Sequence, residues 1–337
     1  MTLSVAWQTP DAAAGARWAA ASRAAHLGGS LLHAARDIVA PWNATLTASD
    51  RSLVAYSLVV AALALVAMLV RMWSARREVS SRYRPAVYAG VGVLSVAFLS
   101  YVLLAVAFFT GYDRHGARFV ANDAAIWSWA PRYMDWSVSV PLLVVELLAV
   151  SALMGRRATV ARAAGVGAAF LMILFGYLGG VVIDDGTNFG ALLTYGTISS
   201  VFFAVLYVVV IGTVVASAPV LPAAARPAYR GAMVLLLVVW FAYPVVFGLQ
   251  GVASGPGWVV TAHLVLSAAD IVAKTGYSLL ILRVALLRTA ADVAGGVDVH
   301  PEAIWVDQLR QSDPVLPPSF SPQPAELSVP REVVRHH

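Results

Sequence analysis

The sequence predicts an all-α membrane protein, a seven-transmembrane-helix bundle with its N-terminus outside and its C-terminus in the cytoplasm. Three observations predict it. The 337 residues are 60% apolar and only 12% charged, where a soluble domain carries about 25% charge. Seven apolar runs, about 52–73, 86–110, 124–151, 159–183, 189–215, 228–252 and 258–287, each come near or exceed the roughly 20 residues that cross a bilayer. Arginines gather on alternate connections: Arg71, Arg76, Arg77, Arg82 and Arg84 after the first run, Arg156, Arg157 and Arg162 after the third, Arg226 and Arg230 after the fifth, Arg283 and Arg288 after the seventh. Those connections face the cytoplasm by the positive-inside rule.

Three regions follow. Residues 1–49 are an extracellular extension. Its stretch Ala12 to Ala40 carries Arg17, Arg23, Arg36, His26 and His33, which excludes the unbroken apolar core of a signal peptide. It reads as one or two amphipathic helices on the membrane or over the outer mouth. Residues 50–290 hold the bundle, which places the chain as a multi-pass protein of the cell membrane, with the lipid bilayer as its surroundings. Residues 291–337 form a cytoplasmic Pro-rich tail, expected to be mostly disordered. The absence of cysteine excludes disulfides, thiol catalysis and thiolate metal sites. No nucleic-acid partner and no metal are expected.

The seventh run holds SAADIVAKTGYSLLIL, residues 267–282. Lysines are very few in this chain, and Lys274 lies inside a membrane span. A lysine near a bilayer centre costs about 2.5–3.5 kcal/mol on insertion scales, so it is a functional candidate by default. Asp270 is four residues earlier, on the same helical face. The competing structural reading is a buried ion pair that locks packing.

The third run holds RYMDWSVSVPLLVVE, residues 132–146. Asp135 and Ser139 are four apart, so the hydroxyl can reach the carboxylate. Arg132 is one turn outward. Glu146 is eleven residues past Asp135, three turns plus about 20°, so the two acids face nearly the same way. They are separated by about 16 Å along the axis. Two acids on one face at different depths, near a buried lysine, outline a proton path. Purely structural pairing does not explain Glu146 among Leu142, Leu143, Val144 and Val145. In the sixth run, Trp240, Tyr243 and Phe247 form one stripe, and Pro244 kinks the helix beside it. An isolated aromatic stripe is more often core, but here it joins two spans with buried charges.

These stretches resemble the microbial (type 1) rhodopsins over about residues 50–290: RYMDWSVSVPLLVVE in the third span, WFAYPVV in the sixth and ADIVAKTGY in the seventh. LFGYLGG (174–180) is similar to the proteorhodopsin branch. The resemblance implies all-trans retinal as cofactor, bound to Lys274 as a protonated Schiff base. It makes Asp135 the primary counterion and proton acceptor, Asp270 the second counterion, Arg132 the gate beneath them, and Tyr101 and Tyr243 their hydrogen-bond partners. Trp136 and Trp240 sandwich the polyene, with Leu143, Tyr243, Pro244 and Phe247 completing the pocket. Glu146 matches the cytoplasmic proton donor, in an apolar stretch that disfavours its charged form. The three-residue motif here is Asp135, Ser139, Glu146, with serine where pumps usually carry threonine. Ser100 stands where proteorhodopsins often have a histidine. Gln250 and Ala262, with His263 beside them, stand where archaeal pumps carry their release glutamates, so the release group has no assignment.

The implied function is a light-driven outward proton pump, a transporter of protons and not an enzyme. The alternative is a sensory photoreceptor signalling to a membrane partner. A non-photochemical seven-helix receptor or transporter is the competing class, separated by whether added retinal gives colour. Leu143 implies green absorption. In some relatives a fifth-span glycine opens a window for a carotenoid antenna. One alignment puts Gly196 there; another puts Tyr195 there and closes it; a small residue for helix packing is the structural alternative. Pentamers or trimers are the homo-oligomers the family implies.

Overall fold

The computed structural model describes residues 37–297. Seven helices fill the seven apolar runs, and their ends have local causes. Helix α1 (Ala48–Ala75) starts at a capping box: Thr47 Oγ1 accepts from the Asp50 amide at 3.1 Å, and Asp50 Oδ2 accepts from the Thr47 amide at 3.0 Å. Helices α2 (Arg84–Thr110) and α3 (Pro131–Ala149) open with proline in the first turn, where no amide hydrogen is needed. Helix α4 (Gly155–Tyr177) runs on through a π turn, Leu178–Val182. Helix α5 (Phe189–Ser217) is capped by Asn188, whose side chain accepts from the Ala191 amide at 2.9 Å. Helix α6 is two segments, Arg226–Trp240 and Ala242–Leu249, which meet at Phe241. Pro244 has no amide hydrogen for the carbonyl one turn back, which explains the break. Helix α7 is Pro256–Ile271 and Tyr277–Ala294, joined by a π turn over Val272–Gly276.

The chain is a multi-pass membrane protein. Among the described residues, six helices are long and apolar enough to cross a bilayer; α3 is the seventh, and it holds Arg132, Asp135 and Glu146 within 19 residues. Large apolar side chains such as Leu63, Val70, Leu99, Val106, Val208 and Val238 stand exposed around the bundle, as they do when the surrounding solvent is lipid. Several arginines read above as loop residues lie on helices instead: Arg156, Arg157 and Arg162 on α4, Arg226 and Arg230 on α6. Hydropathy excludes a charged residue that a helix accommodates by extending its long side chain to the interface.

One end of the bundle carries structure that the apolar runs did not announce. Strands β1 (Thr45–Thr47), β2 (Tyr112–His115) and β3 (Arg118–Ala121) form an antiparallel sheet in the order β1-β3-β2. Gly116, at φ +61°, makes the hairpin turn possible. The segment before β1 crosses the same end: Asp37 pairs with Asn188, the Ile38 amide donates to Thr187 O at 2.9 Å, and Tyr112 donates to Trp42 O at 2.8 Å. Residues 37–40, where the Ala12–Ala40 reading overlaps the described residues, are therefore not helical, and a turn at Pro41–Trp42 leads from them into β1. The remainder of the expected amphipathic helix, and the Pro-rich tail beyond residue 297, lie outside the described residues. At the opposite end, Tyr83 donates to Asp292 Oδ2 at 2.6 Å. Burial, then this hydrogen bond, pushes the Tyr83 phenol up to about 12, so it remains a donor at neutral pH.

Candidate functional site

Lys274 sits in the π turn of α7 and is almost fully buried. Such turns shift side chains by part of a turn and recur at functional sites. Its Nζ lies 2.5 Å from Asp135 Oδ2 on α3 and 3.2 Å from Asp270 Oδ1. Asp270 is held from four sides: Tyr101 donates to Oδ2 at 2.8 Å, while Tyr243 (2.8 Å) and Trp136 Nε1 (3.1 Å) donate to Oδ1. Arg132 Nη1 is 3.8 Å from Oδ2. Arg132 is wholly buried and donates to the Tyr101 hydroxyl at 3.0 Å and to Ser267 Oγ at 3.4 Å. Its Nη2 is 3.2 Å from His263 Nδ1. A guanidinium only donates, so Nδ1 must accept, and the neutral imidazole carries its hydrogen on Nε2. Two cations and two anions thus face one another in the bundle core. Unpaired, each would be costly; together they compensate.

The Lys274 Nζ end of this cluster opens on a cavity with about 900 Å³ of empty space, its mouth included. Trp136, Leu143, Trp240, Tyr243, Pro244 and Phe247 line it together with Lys274 and Asp270. Trp136 and Tyr243 meet edge to face, ring centroids 4.9 Å apart. Gly196 also lines the cavity, and a Cβ there would come within 2.7 Å of the Phe247 ring. Tyr195 instead stacks on Phe175 at 6.3 Å between centroids, outside the lining. Of the two alignments, the packing places Gly196 at the wall. An apolar slot walled by aromatic rings, with a buried primary amine and two carboxylates at its end, fits a long apolar aldehyde bound through an imine.

Glu146 lies on the other side of the lysine, wholly buried. Its Oε2 accepts from Ser278 Oγ at 3.1 Å; its Oε1 has no hydrogen-bond partner among the described residues. Gly90 faces it, and a Cβ there would stand 3.1 Å from Oε1 and 2.5 Å from Met72 Cε. The hydroxyls nearby are engaged with backbone: Tyr277 donates to Leu143 O at 2.8 Å, Tyr229 to Leu147 O at 3.3 Å.

One expected contact falls short of a formed hydrogen bond. Ser139 Oγ and Asp135 Oδ1 are both buried, and neither has a hydrogen-bond partner among the described residues. The lysine draws Asp135 through Oδ2, and serine lacks the methyl that restricts a threonine rotamer. Ser100 donates to Pro131 O at 3.0 Å and so does not take the place of a histidine against Asp135. Gln250 donates to Gly180 O at 3.1 Å and lines the cavity, while Ala262 offers no titrating group. Three participants were not assigned from sequence: the His263 contact to Arg132, the Trp136 bond to Asp270, and Ser278. The signal for Ser278 was its position four residues after Lys274, on the same helical face.

Fold, cluster and cavity together define a class, the seven-helix retinal proteins. The chain belongs to the family described as "Bacteriorhodopsin-like protein", whose model matches residues 52–287. It is 27% identical to Cruxrhodopsin-1 of Haloarcula argentinensis, covering 69% of this chain and 89% of that protein. It is 26% identical to a green-light absorbing proteorhodopsin of Gamma-proteobacterium EBAC31A08, covering 72% and 89%. Sensory rhodopsin-2 of Haloarcula vallismortis is 29% identical, covering 57% and 74%. The match to Opsin-1 of Neurospora crassa spans about half of that protein's length, 52%. Among solved structures, xanthorhodopsin, described as a light-driven ion pump with dual chromophore, is similar at a TM-score of 0.66 and 25% identity, over 76% of this chain and all of that one. The family therefore includes both pumps and sensors.

Proposed function

We propose that the protein is a light-driven outward proton pump, with retinal on Lys274, its N-terminus outside and its C-terminus in the cytoplasm. The observation that carries the reading is the placing of three groups. Lys274 Nζ touches Asp135 at one end of an apolar cavity, and Glu146 is buried on the other side of the lysine, along the same helix as Asp135. Retinal held on Lys274 would supply light absorption and the change of shape that drives proton transfer, and the Trp136, Leu143, Trp240, Tyr243, Pro244 and Phe247 lining would hold it. Asp135, at hydrogen-bond distance from the Lys274 nitrogen, is the acceptor. Asp270, fixed by Tyr101, Tyr243 and Trp136, is the permanent counter-charge. Arg132 separates this cluster from the sheet-bearing end. Glu146 is the donor that resupplies the nitrogen, because an apolar shell favours a carboxyl that keeps its proton. Sensory relatives share the pigment; the buried Glu146 favours the pump. Pentamers or trimers are the assemblies this reading expects.

The test is the pH around intact cells supplied with retinal. Illumination should acidify the medium, and a protonophore should abolish the change. A coloured, light-cycling protein that moves no protons would be a sensor instead. A carotenoid antenna is the finer part of the proposal, supported by Gly196 in the cavity wall and by its partial exposure. Hydroxylated carotenoids added to the pigment should transfer energy to retinal, and Gly196→Trp should stop the transfer.

A further inference from the structure

Away from the pigment, a second groove runs between α4 and α5 at the end of the bundle opposite the sheet. Val160 and Ala164 form one wall, Val208 and Gly212 the other, and Arg156 and Arg157 stand at its mouth. Its open volume is about 520 Å³. The groove is unfilled where filling would be simple, since a Cβ on Gly212 meets nothing within 4 Å. Three further features point to a ligand of defined chemistry. Both arginines are exposed, and neither forms an ion pair among the described residues. Helix α4 begins there with Met154 at its cap and no capping side chain, leaving amide donors free. Thr213, 3% exposed, lines the groove with a hydroxyl that has no hydrogen-bond partner among the described residues.

We infer that this groove is a binding site for one anionic phospholipid. Its phosphate lies against Arg156, Arg157 and the first turn of α4, and one acyl chain lies between Val160, Ala164, Val208 and Gly212. The occupant follows from placement and charge. The groove opens to the hydrocarbon along its length and carries its only charges at the interface, so it matches a molecule with an apolar tail and a negative head. Arginine suits phosphate because its fork of donors matches the phosphate oxygens. Basic pockets at the membrane interface recognise anionic lipid heads in this way. The helix N-terminus adds donors of the same sign. The Thr213 hydroxyl faces the glycerol and ester oxygens of such a lipid, where an apolar chain alone would leave it unpaired.

Native mass spectrometry of the full-length pigment, released from nanodiscs of mixed phosphatidylglycerol and phosphatidylcholine, tests this. The wild type should retain one phosphatidylglycerol in preference to phosphatidylcholine. Arg156→Gln with Arg157→Gln should lower that retention on the order of tenfold, from the loss of two interfacial charges. Gly212→Leu should expel the acyl chain and lower retention of both lipids. Visible absorption should remain that of the wild type in both variants, which reports that they fold. Equal retention of the two lipids by wild type, or unchanged phosphatidylglycerol retention in both variants, overturns the inference. So does a change of oligomer size in Gly212→Leu without lipid loss, which would make the groove a contact between copies. Displacement of the lipid by millimolar inorganic phosphate alone would also count against it.

Discussion

The two sides of Lys274 are built on opposite principles. Towards the sheet-bearing end, polar groups are dense: two carboxylates, a guanidinium, two tyrosines, a tryptophan indole, a serine and a histidine lie within hydrogen-bond reach of one another. Towards the tail end the buried Glu146 carboxyl meets a single serine hydroxyl and an apolar wall, while the nearby Tyr277 and Tyr229 hydroxyls donate to backbone carbonyls. The dense side fixes charges that must exist in the resting state, and preorganised donors and acceptors hold them in place. The sparse side provides no fixed cation for Glu146. On the proposed reading, a group so placed would hold a proton and deliver it only when the helices or water move. The asymmetry, more than any single residue, is what the proposed directed transfer requires.

Within the dense side there is a second asymmetry, between the two aspartates. Asp270 has a neighbour on every oxygen; Asp135 has Lys274 on Oδ2 and no hydrogen-bond partner on Oδ1 among the described residues. A saturated carboxylate suits a fixed charge, and a carboxylate with a free oxygen suits a group that must take up a proton.

The largest expected effect removes the comparison altogether. Lys274 is the only lysine in the chain, so Lys274→Ala should give a folded protein that stays colourless with added retinal. A pigment of normal colour in that variant would end the reading. The aspartates come next. Asp135→Asn should abolish net proton transport and shift absorption to longer wavelength, because one of two negative charges facing the nitrogen is lost. Asp270→Asn should cost more stability, on the order of 3–5 kcal/mol, as expected when one member of a buried charge network is removed. Thermal bleaching of the two variants, side by side, ranks them; equal losses would erase the distinction drawn between the aspartates. Leu143 is buried against the cavity, and Leu143→Gln should shift absorption to the blue without changing expression. An unshifted spectrum would place Leu143 away from the chromophore. The smallest effect is at Ser139, whose hydroxyl has no hydrogen-bond partner among the described residues. Ser139→Ala should leave resting colour nearly unchanged, and a large spectral shift would mean that the hydroxyl does bond Asp135.

Much of this architecture was legible because membrane solvent simplifies the code. Apolar runs near 20 residues announce helices: the first and fifth runs began about five residues and one residue after the caps Thr47 and Asn188. The third run began about seven residues before α3, because it took in a separate short turn, Asp123–Ser128. Lys274, Asp135, Asp270 and Glu146 could be singled out because ionisable residues inside apolar runs are rare. The sheet was not legible: β2 and β3 are four residues each, in a stretch whose charges marked it only as a loop. Nor was the π turn, which adds no distinctive residue beyond the lysine it displaces. His263 could be numbered beside Ala262, but only folding brings its ring to Arg132, 131 residues away in sequence. The Asp135–Ser139 bond was expected from spacing alone. Spacing gives proximity; it does not give the rotamer, which the lysine decided.

The most direct test of the asymmetry is flash spectroscopy of Glu146→Gln. Resting colour and the first light-driven changes should survive, since nothing on the dense side is altered. Recovery of the resting absorption should slow by about a hundredfold, the lower range for loss of a positioned proton-transfer group. Its rate should fall as pH rises, because the proton must then come from solution, and azide should restore it as a mobile donor. Recovery as fast as wild type from neutral to alkaline pH would contradict the account: Glu146 would not be the donor, and the sparse half of the bundle would serve a sensor.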